Sequence, residues 1–238
     1  MKNENNIIYG RNAVKEALKA KRILKACISM SFRDQAILDE LNKNHISIKT
    51  CSNNELDALS SKGVHQGIVA YIKPYEFTPL EKVLKDAKSA QKPILVLLDG
   101  VVDPHNLGAI LRCCDIFGVS GVLIGKHDQV GLTPTVAKTS AGAINYVPVV
   151  QIGNINQTIQ LLKDNGYWIV SADGNCDKSY HDISYDFPTV LVIGNEGEGI
   201  SRLVLKNSDF IVKIPMYGKV NSLNASVAAG ILLSKIRG

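Results

Sequence analysis

Short apolar runs alternate with amphipathic stretches along residues 80–238, and this alternation constrains the fold more than any other feature. The run Ile94–Leu98 is apolar throughout, which is typical of a strand buried on both faces of a parallel sheet. In the next stretch Leu107, Ile110 and Leu111 have the spacing of one helix face. Repeated alternation of this kind predicts an α/β domain with helices on both faces of a parallel sheet.

The same patterns place the remaining elements and divide the chain into two domains. The predicted strands of the larger domain are 94–98, 122–124, 146–150, 167–172, 190–193 and 210–216, with helices at 80–90, from 106, at 134–141 and at 155–165, and a last apolar helix that the stretch 221–226 enters. The first third alternates as well, with a helix capped by Asn12, helices at 33–44 and 54–59, and strands at 23–29, 46–51 and 68–72. Residues 74–79 hold two prolines and lack periodicity, so we expect a linker there, between domains 1–73 and 80–238.

The positive charge of the chain is confined to its first third. Residues 1–73 hold 12 Lys and Arg against 7 Asp and Glu, a net charge of +5, whereas residues 74–238 hold 15 of each. Part of the excess is a cluster at Lys19, Lys21, Arg22 and Lys25. A basic module beside a neutral one suggests that the first contacts a polyanion, although a solvated surface without a partner gives the same pattern.

The cysteines and the N-terminus indicate a cytoplasmic protein. The five cysteines show no CxxC spacing, so we expect free thiols and neither disulfides nor a structural zinc site. The stretch Met1–Asn6 is polar and lacks the apolar segment of a signal peptide. Apolar runs fall well short of the roughly 20 residues that span a bilayer, so we expect no membrane partner. We also expect no metal, because the sequence shows no cluster of metal-ligand residues.

Two common nucleotide-binding signatures are missing. After Ile94–Leu98 the chain continues Asp-Gly-Val-Val-Asp-Pro, without the G-x-G-x-x-G fingerprint of dinucleotide-binding domains. The glycines at 194, 197 and 199 lie late in the chain, and a Walker A sequence is absent as well. A nicotinamide-dependent or nucleotide-hydrolysing enzyme is therefore disfavoured.

Three polar stretches instead lie where predicted strands end or helices begin. They are Asp-Pro-His-Asn-Leu-Gly at 103–108, followed by Arg112; Gly-Asn-Glu-Gly-Glu-Gly at 194–199; and Asn-Ser-Leu-Asn-Ala-Ser at 221–226. Ligands of open parallel sheets bind outside the carboxyl ends of the strands, where helix N-termini offer free N–H groups. These stretches therefore predict a small-molecule site, with Asn106 as a helix N-cap and Gly108 as a point of close approach.

In this order and spacing, the three stretches resemble the motifs of the SpoU branch of the SPOUT RNA methyltransferases. Tyr9–Val14 and His65–Gly67 resemble the substrate-binding domain of the same enzymes, so the resemblance covers nearly the whole chain. The subgroup it resembles most is that of the bacterial 23S rRNA guanosine 2′-O-methyltransferases.

The resemblance implies both a fold and a reaction. The fold would be an α/β parallel-sheet SPOUT domain with a C-terminal trefoil knot, preceded by a small α/β, ribosomal-protein L30e-like domain that binds the RNA substrate. The enzyme would be a homodimer that uses S-adenosylmethionine to methylate a ribose 2′-hydroxyl in RNA.

The resemblance also assigns residues by position. The cofactor would be bound by Gly194, Ile214, Leu223, Ala172 and Met216. Arg112, from its own or the partner subunit, would lie at the target ribose and phosphate. The residues that orient Arg112 and the substrate would be Asn106, Glu196, Ser222 and Asn224. Because a guanidinium keeps its proton, anchoring the phosphate and stabilising the developing alkoxide suit Arg112 better than the general-base role suggested for the family.

Two other functions stay open on the sequence. One is a related 2′-O-methyltransferase acting on tRNA or on another rRNA nucleotide. The other is a non-catalytic RNA-binding protein that keeps the fold. The extra N-terminal domain favours rRNA, and the intact set of motif residues favours an enzyme.

Overall fold

The chain forms two sheets, each surrounded by its own helices. A computed structural model describes residues 6–126, 130–220 and 222–238. The polar stretch Met1–Asn5 and Asn221 of the third motif lie outside these described residues.

The N-terminal sheet is mixed and has four strands in the order β1-β4-β2-β3. Strands β1 and β2 pair antiparallel with β4, and β2 pairs parallel with β3. Its elements are β1 (Ile7–Tyr9), α1 (Arg11–Lys19), β2 (Ile23–Ser29), α2 (Gln35–Lys43), β3 (Ser47–Cys51), α3 (Asn53–Leu59) and β4 (Ile68–Ile72).

The second sheet is wholly parallel and has six strands in the order β10-β8-β9-β5-β6-β7. Its strands are β5 (Ile94–Asp99), β6 (Gly121–Gly125), β7 (Val149–Ile152), β8 (Trp168–Ala172), β9 (Thr189–Gly194) and β10 (Phe210–Val212). Its helices are α4 (Leu80–Ala87), α5 (Pro104–Ile116), α6 (Pro134–Thr139), α7 (Ile155–Asp164), α8 (Arg202–Lys206) and α9 (Ala225–Arg237), with 3-10 turns at Ala143–Asn145 and Tyr180–Asp182.

Strand β5 shows why the run Ile94–Leu98 is apolar at every position. Ile94, Val96 and Leu98 face the core shared with α5 and α9, whereas Leu95 and Leu97 face the core shared with α4, α7 and α8. All five side chains are fully buried. The prediction of a parallel sheet covered on both faces is therefore confirmed, and it places the strand ends after β5, β8, β9 and β10 along one edge.

Several predicted boundaries were wrong, and long-range backbone hydrogen bonds account for one of them. The predicted strand 210–216 ends at Val212, because Lys213 turns to bond Lys178 and Tyr180 through its backbone. The predicted strand 146–150 begins at Val149, after a 3-10 turn. The N-cap of α1 is Gly10 rather than Asn12. Strand β1 and helix α8 were not predicted.

Arg22, one of the clustered basic residues, fastens the segment between the two sheets. Its guanidinium donates to the carbonyl oxygens of Lys73 and Pro74 and lies 4.4 Å from the ring centre of Tyr75. Further along, the Thr78 N–H donates to the Val149 carbonyl at 2.7 Å. The predicted linker is thus an ordered segment, and the Arg22 side chain binds this segment of its own chain.

All five cysteines lie in the described ranges and are free thiols, as predicted. Burial raises the pKa of Cys27 to about 11, and burial also raises that of Cys114 well above its usual value. Among residues 6–126, 130–220 and 222–238, no helix is long and apolar enough to cross a membrane. The same ranges contain no group of three or more His, Cys, Asp or Glu residues that could hold a metal ion.

Candidate active site

A cavity of 680 Å³ lies at the carboxyl edge of the parallel sheet. Its walls are residues 172–175 at the end of β8, 193–200 at the end of β9, and 212–214 and 216 at the end of β10, and Ala225 and Ala228 of α9 close it. A volume of this size is ordinary for a site that takes one small organic ligand.

The loop after β9 forms one wall of the cavity, and its shape requires glycine at position 194. A Cβ on Gly194 would lie 2.3 Å from the carbonyl carbon of Gly199 and 2.5 Å from the Ile200 nitrogen. The loop closes through two backbone hydrogen bonds between Asn195 and Gly199, of 2.9 and 3.0 Å. The Asn195 side chain also donates to the Gly100 carbonyl at 2.7 Å, which joins this loop to the end of β5.

One hydrogen-bonded cluster joins the three motifs beside the cavity. The Asn106 amide donates to Glu196 Oε1 at 2.8 Å. The Asn224 amide donates to the same carboxylate oxygen at 2.6 Å and to Asn106 Oδ1 at 2.9 Å. These hydrogen bonds join residues that are 90 and 118 positions apart in the sequence. We call Asn106, Glu196 and Asn224 the motif cluster.

The predicted cofactor residues all reach the cavity. The cavity is lined by Gly194, Ile214, Leu223, Ala172 and Met216, and also by Glu196 and Ser222 from the orienting set. Asn106 and Asn224 lie behind Glu196 and position it. The structure therefore gathers nine of the ten predicted site residues at one edge of the sheet, and Arg112 is the exception.

The predicted helix cap at Asn106 was wrong. Helix α5 begins at Pro104, and Asp103 caps it by accepting from the His105 N–H at 2.9 Å. Asn106 is instead buried within the first turn, where its amide is free to bond Glu196. The close approach predicted at Gly108 is confirmed, because a Cβ there would lie 1.8 Å from Thr139 Oγ1 on α6.

Sequence comparison identifies both halves of the chain. Residues 93–234 match the SpoU rRNA methylase family, and residues 7–78 match the family described as RNA 2'-O ribose methyltransferase substrate binding. The chain is 42% identical, over 98% of its length and 95% of the relative's, to "Putative TrmH family tRNA/rRNA methyltransferase" of Staphylococcus saprophyticus. The chain belongs to the SpoU rRNA methylase family.

Solved structures agree with the assignment to the SpoU family. The SpoU methyltransferase AviRb of Streptomyces viridochromogenes, in complex with the cofactor AdoMet, matches with a TM-score of 0.81 at 22% identity over 97% of this chain and 88% of that one. The A. aeolicus TrmH/SpoU tRNA modifying enzyme matches with a TM-score of 0.56 at 32% identity over 66% of this chain and 82% of that one. The predicted fold class, a knotted SPOUT domain behind a small α/β domain, is confirmed by this likeness.

Arg112, the residue that the SpoU resemblance places at the target ribose, lies apart from the cavity. It is exposed on α5, and its side chain makes no hydrogen bond or ion pair with any residue in the described parts of the chain. One turn further along, Ile116 exposes 68% of its surface, and Val227 of the packed helix α9 exposes 49%. An arginine and two apolar side chains thus face outward from the α5–α9 pair.

Three residues of the SpoU-family site were missed by sequence reasoning. Asp173 lines the cavity at the end of β8, and its Oδ1 accepts from the backbone and side-chain amides of Asn175. Asp99 accepts from the Ser201 N–H at 2.8 Å, and Asn195 shapes the glycine loop. Asp99 and Asp173 directly follow predicted strands, and Asn195 lies two residues after one, so the position at a strand end was the available signal.

Asn224 has two separable duties, which a pair of variants should resolve. Its Oδ1 caps α9 by accepting from the Ser226 and Val227 N–H groups, while its amide donates within the motif cluster. Asn224→Ala should lower the unfolding free energy by about 1 kcal/mol, whereas Asn224→Ser should retain the cap. Both should lose methyl transfer by at least about tenfold, as measured by urea unfolding and by turnover. A fully active Asn224→Ser variant would rule out a catalytic role for the cluster.

Proposed function

We propose that this chain transfers a methyl group from S-adenosylmethionine to a ribose 2′-hydroxyl of RNA, with a guanosine of 23S rRNA as the target. The observation that carries the proposal is the motif cluster, which brings three sequence motifs together beside a cavity of suitable size. A protein that only bound RNA would not need these three side chains locked at the mouth of a small-molecule cavity.

The cavity suits S-adenosylmethionine in shape and charge. Ile193, Ile214 and Leu223 supply apolar surface for an adenine ring, and the absent Cβ of Gly194 leaves room for the loop wall. The charged lining residues are three carboxylates and two lysines: Asp173, Glu196, Glu198, Lys213 and Lys219. Their formal charge of −1 complements the +1 of a ligand that carries a sulfonium, an ammonium and a carboxylate.

The bound donor supplies an activated methyl group, and the protein must then position the hydroxyl and stabilise its developing charge. We propose that the motif cluster forms the surface that contacts the target ribose. Ser222, exposed at the cavity, would orient the substrate by a hydrogen bond. Arg112 would anchor the adjacent phosphate and stabilise the alkoxide, since its guanidinium remains protonated.

A homodimer would bring Arg112 to the site. In one chain Arg112 is outside the cavity lining, and the exposed Ile116 and Val227 leave an apolar surface on the same helix pair. We propose that a second copy covers this surface, so that Arg112 of one subunit completes the site of the other. Apolar burial of this kind is what stabilises a two-fold interface.

The RNA substrate would be recruited by the N-terminal domain, for which we propose the limits 1–73, with 74–79 as linker and 80–238 as the catalytic domain. The match of residues 7–78 to a substrate-binding family supports this division, as do the two separate sheets. That match also favours ribose 2′-O chemistry over base methylation. The extra domain ahead of the catalytic one favours rRNA over tRNA as substrate, because the A. aeolicus tRNA enzyme matches only 66% of this chain.

Two measurements test the proposal. Calorimetric titration of the purified protein with S-adenosylmethionine should show saturable binding at one site per chain. Mapping of 2′-O-methylation on rRNA and tRNA, from cells with and without the gene, should show one 23S rRNA guanosine that loses its methyl group. Loss at a tRNA position instead would keep the reaction and overturn the substrate, and an absence of binding would overturn both.

A further inference from the structure

One end of the N-terminal sheet exposes large apolar side chains next to its paired strands. Among the described residues up to 73, the most exposed large apolar side chains are Met30 and Val64, at 80% and 75%. Met30 follows β2 and Val64 precedes β4, and these strands pair with Ile28 opposite Ile68. Both side chains therefore leave the sheet at the same end, where Gly10 also bonds Ile68 before α1.

The loop that presents Val64 is held in one conformation. Ser61, Lys62 and Gln66 all have positive φ, between 51° and 61°, which is costly for residues other than glycine. The cost is offset by hydrogen bonds, including those from the Lys62 N–H to the Asp57 carbonyl and from the Gly67 N–H to His65 Nδ1. His65 Nε2 also lies 3.2 Å from Asp57 Oδ1. These bonds define the backbone of the loop that holds Val64 in solvent.

The same end of the sheet is positively charged. Its cations are Arg11 and Lys15 of α1, Arg33 after β2 and Lys62 of the loop, against the carboxylates of Asp34 and Asp57. Asp34 is already engaged by Lys15 at 3.2 Å and more loosely by Arg11 at 3.9 Å, and Asp57 is engaged by His65. Arg33 donates to the carbonyl oxygens of Met30 and Phe32, so it also braces the segment that presents Met30.

We propose that this end, which we call the apical surface (Arg11, Met30, Arg33, Lys62 and Val64), holds an unpaired segment of the substrate RNA. The cations would contact phosphates, and the two apolar side chains would pack against the faces of unstacked bases. A paired A-form helix buries its base faces, so only a loop or bulge offers partners to Met30 and Val64. The inference rests on the proposed function, and it specifies where that function recognises RNA.

The clustered lysines identified from sequence are a poorer candidate. They lie at the opposite end of the sheet, where α1 ends and β2 begins. Arg22 there is hydrogen-bonded to the linker segment that begins after β4, and Lys19 pairs with Glu16 at 2.7 Å. Lys21 and Lys25 remain exposed, which makes them a matched control for charge, as exposed Leu24 is for apolar surface.

The test measures affinity of the full-length protein for an RNA stem-loop and for a fully paired RNA duplex of the same length, without cofactor. Met30→Ser combined with Val64→Ser should weaken stem-loop binding about tenfold and leave duplex binding unchanged. Leu24→Ser should bind both RNAs as the wild type does. Unchanged stem-loop affinity in the double variant, or equal loss on both RNAs, would overturn the proposal.

Charge is tested separately through the salt dependence of binding. Arg11→Gln with Lys62→Gln should reduce the slope of log affinity against log salt by roughly one to two, because each phosphate contact contributes about 0.7 to 0.9. Lys21→Gln with Lys25→Gln should leave the slope near the wild-type value, and an equal reduction in both pairs would contradict a localised site.

Thermal unfolding and S-adenosylmethionine titration of each variant show that the fold and the catalytic domain are intact. A change from dimer to monomer in the Met30/Val64 variant would assign the surface to a second copy and overturn the RNA proposal. If the wild type binds RNA but never binds the methyl donor, the proposed function fails while the apical surface stands.

Discussion

Replacement of Arg112 by alanine is expected to lower methyl transfer by about 10²- to 10³-fold while leaving S-adenosylmethionine affinity within about twofold of the wild type. The reason is its position. Arg112 is exposed on α5, is absent from the cavity lining, and would meet only the RNA. Turnover on rRNA and calorimetric titration with the cofactor provide the two readouts. Arg202→Ala, an exposed arginine on α8, is the matched control and should retain full activity.

Mixing two inactive variants tests whether the two subunits of the proposed homodimer share Arg112. Arg112→Ala and Glu196→Ala should each be inactive as homodimers. After subunits are exchanged in equal amounts, half of the dimers are mixed, and each mixed dimer holds one intact composite site if Arg112 acts across the interface. Activity should then recover to about a quarter of the wild-type value. If the mixture stays inactive while exchange is verified, Arg112 acts within its own subunit or not at all.

Gly194→Ala is expected to weaken S-adenosylmethionine binding by about a hundredfold and to lower the unfolding free energy by about 1–3 kcal/mol. The added Cβ would lie 2.3–2.5 Å from backbone atoms of Gly199 and Ile200. Backbone cannot rotate aside as a side chain can, so the wall of the cavity must move. Calorimetric titration and urea unfolding measure the two effects.

A second glycine of the same loop supplies the control for Gly194→Ala. A Cβ on Gly197 would meet only Asn195 Oδ1 at 3.5 Å, which is an ordinary contact. Gly197→Ala should therefore bind the cofactor nearly as well as the wild type. Equal loss in both variants would mean that loop flexibility, rather than the close packing at Gly194, sets the affinity.

The parts of the fold that were predictable are those that local pattern determines. Ile94–Leu98 is apolar at each position because both faces of β5 are covered, and a continuous apolar run of this kind can be recognised in the sequence. The three-residue strand β1 is too short for periodicity to reveal. Strand β10 ends at Val212 because Lys213 finds partners more than thirty residues earlier in the chain, which no local pattern records.

The candidate site shows the same division. The motif residues were found by resemblance, and nine of them gather at one edge of the sheet. Asp103 and Asn106 are equally good helix caps by residue type, and only Glu196, 90 positions away, decides that Asn106 turns inward. Arg112 is predicted at the reaction centre, yet in one chain it is exposed and outside the cavity lining, and the proposed homodimer would account for this position.

Digestion of RNA methylated in vitro tests the proposed chemistry most directly. Purified protein would be incubated with radiolabelled S-adenosylmethionine and unmodified 23S rRNA, and the digested nucleosides would be separated by chromatography. The label should appear in 2′-O-methylguanosine, and it should disappear with the Arg112→Ala variant. Label in a base-methylated nucleoside, or undiminished label with Arg112→Ala, would contradict ribose methylation at the site built by Asn106, Glu196 and Asn224.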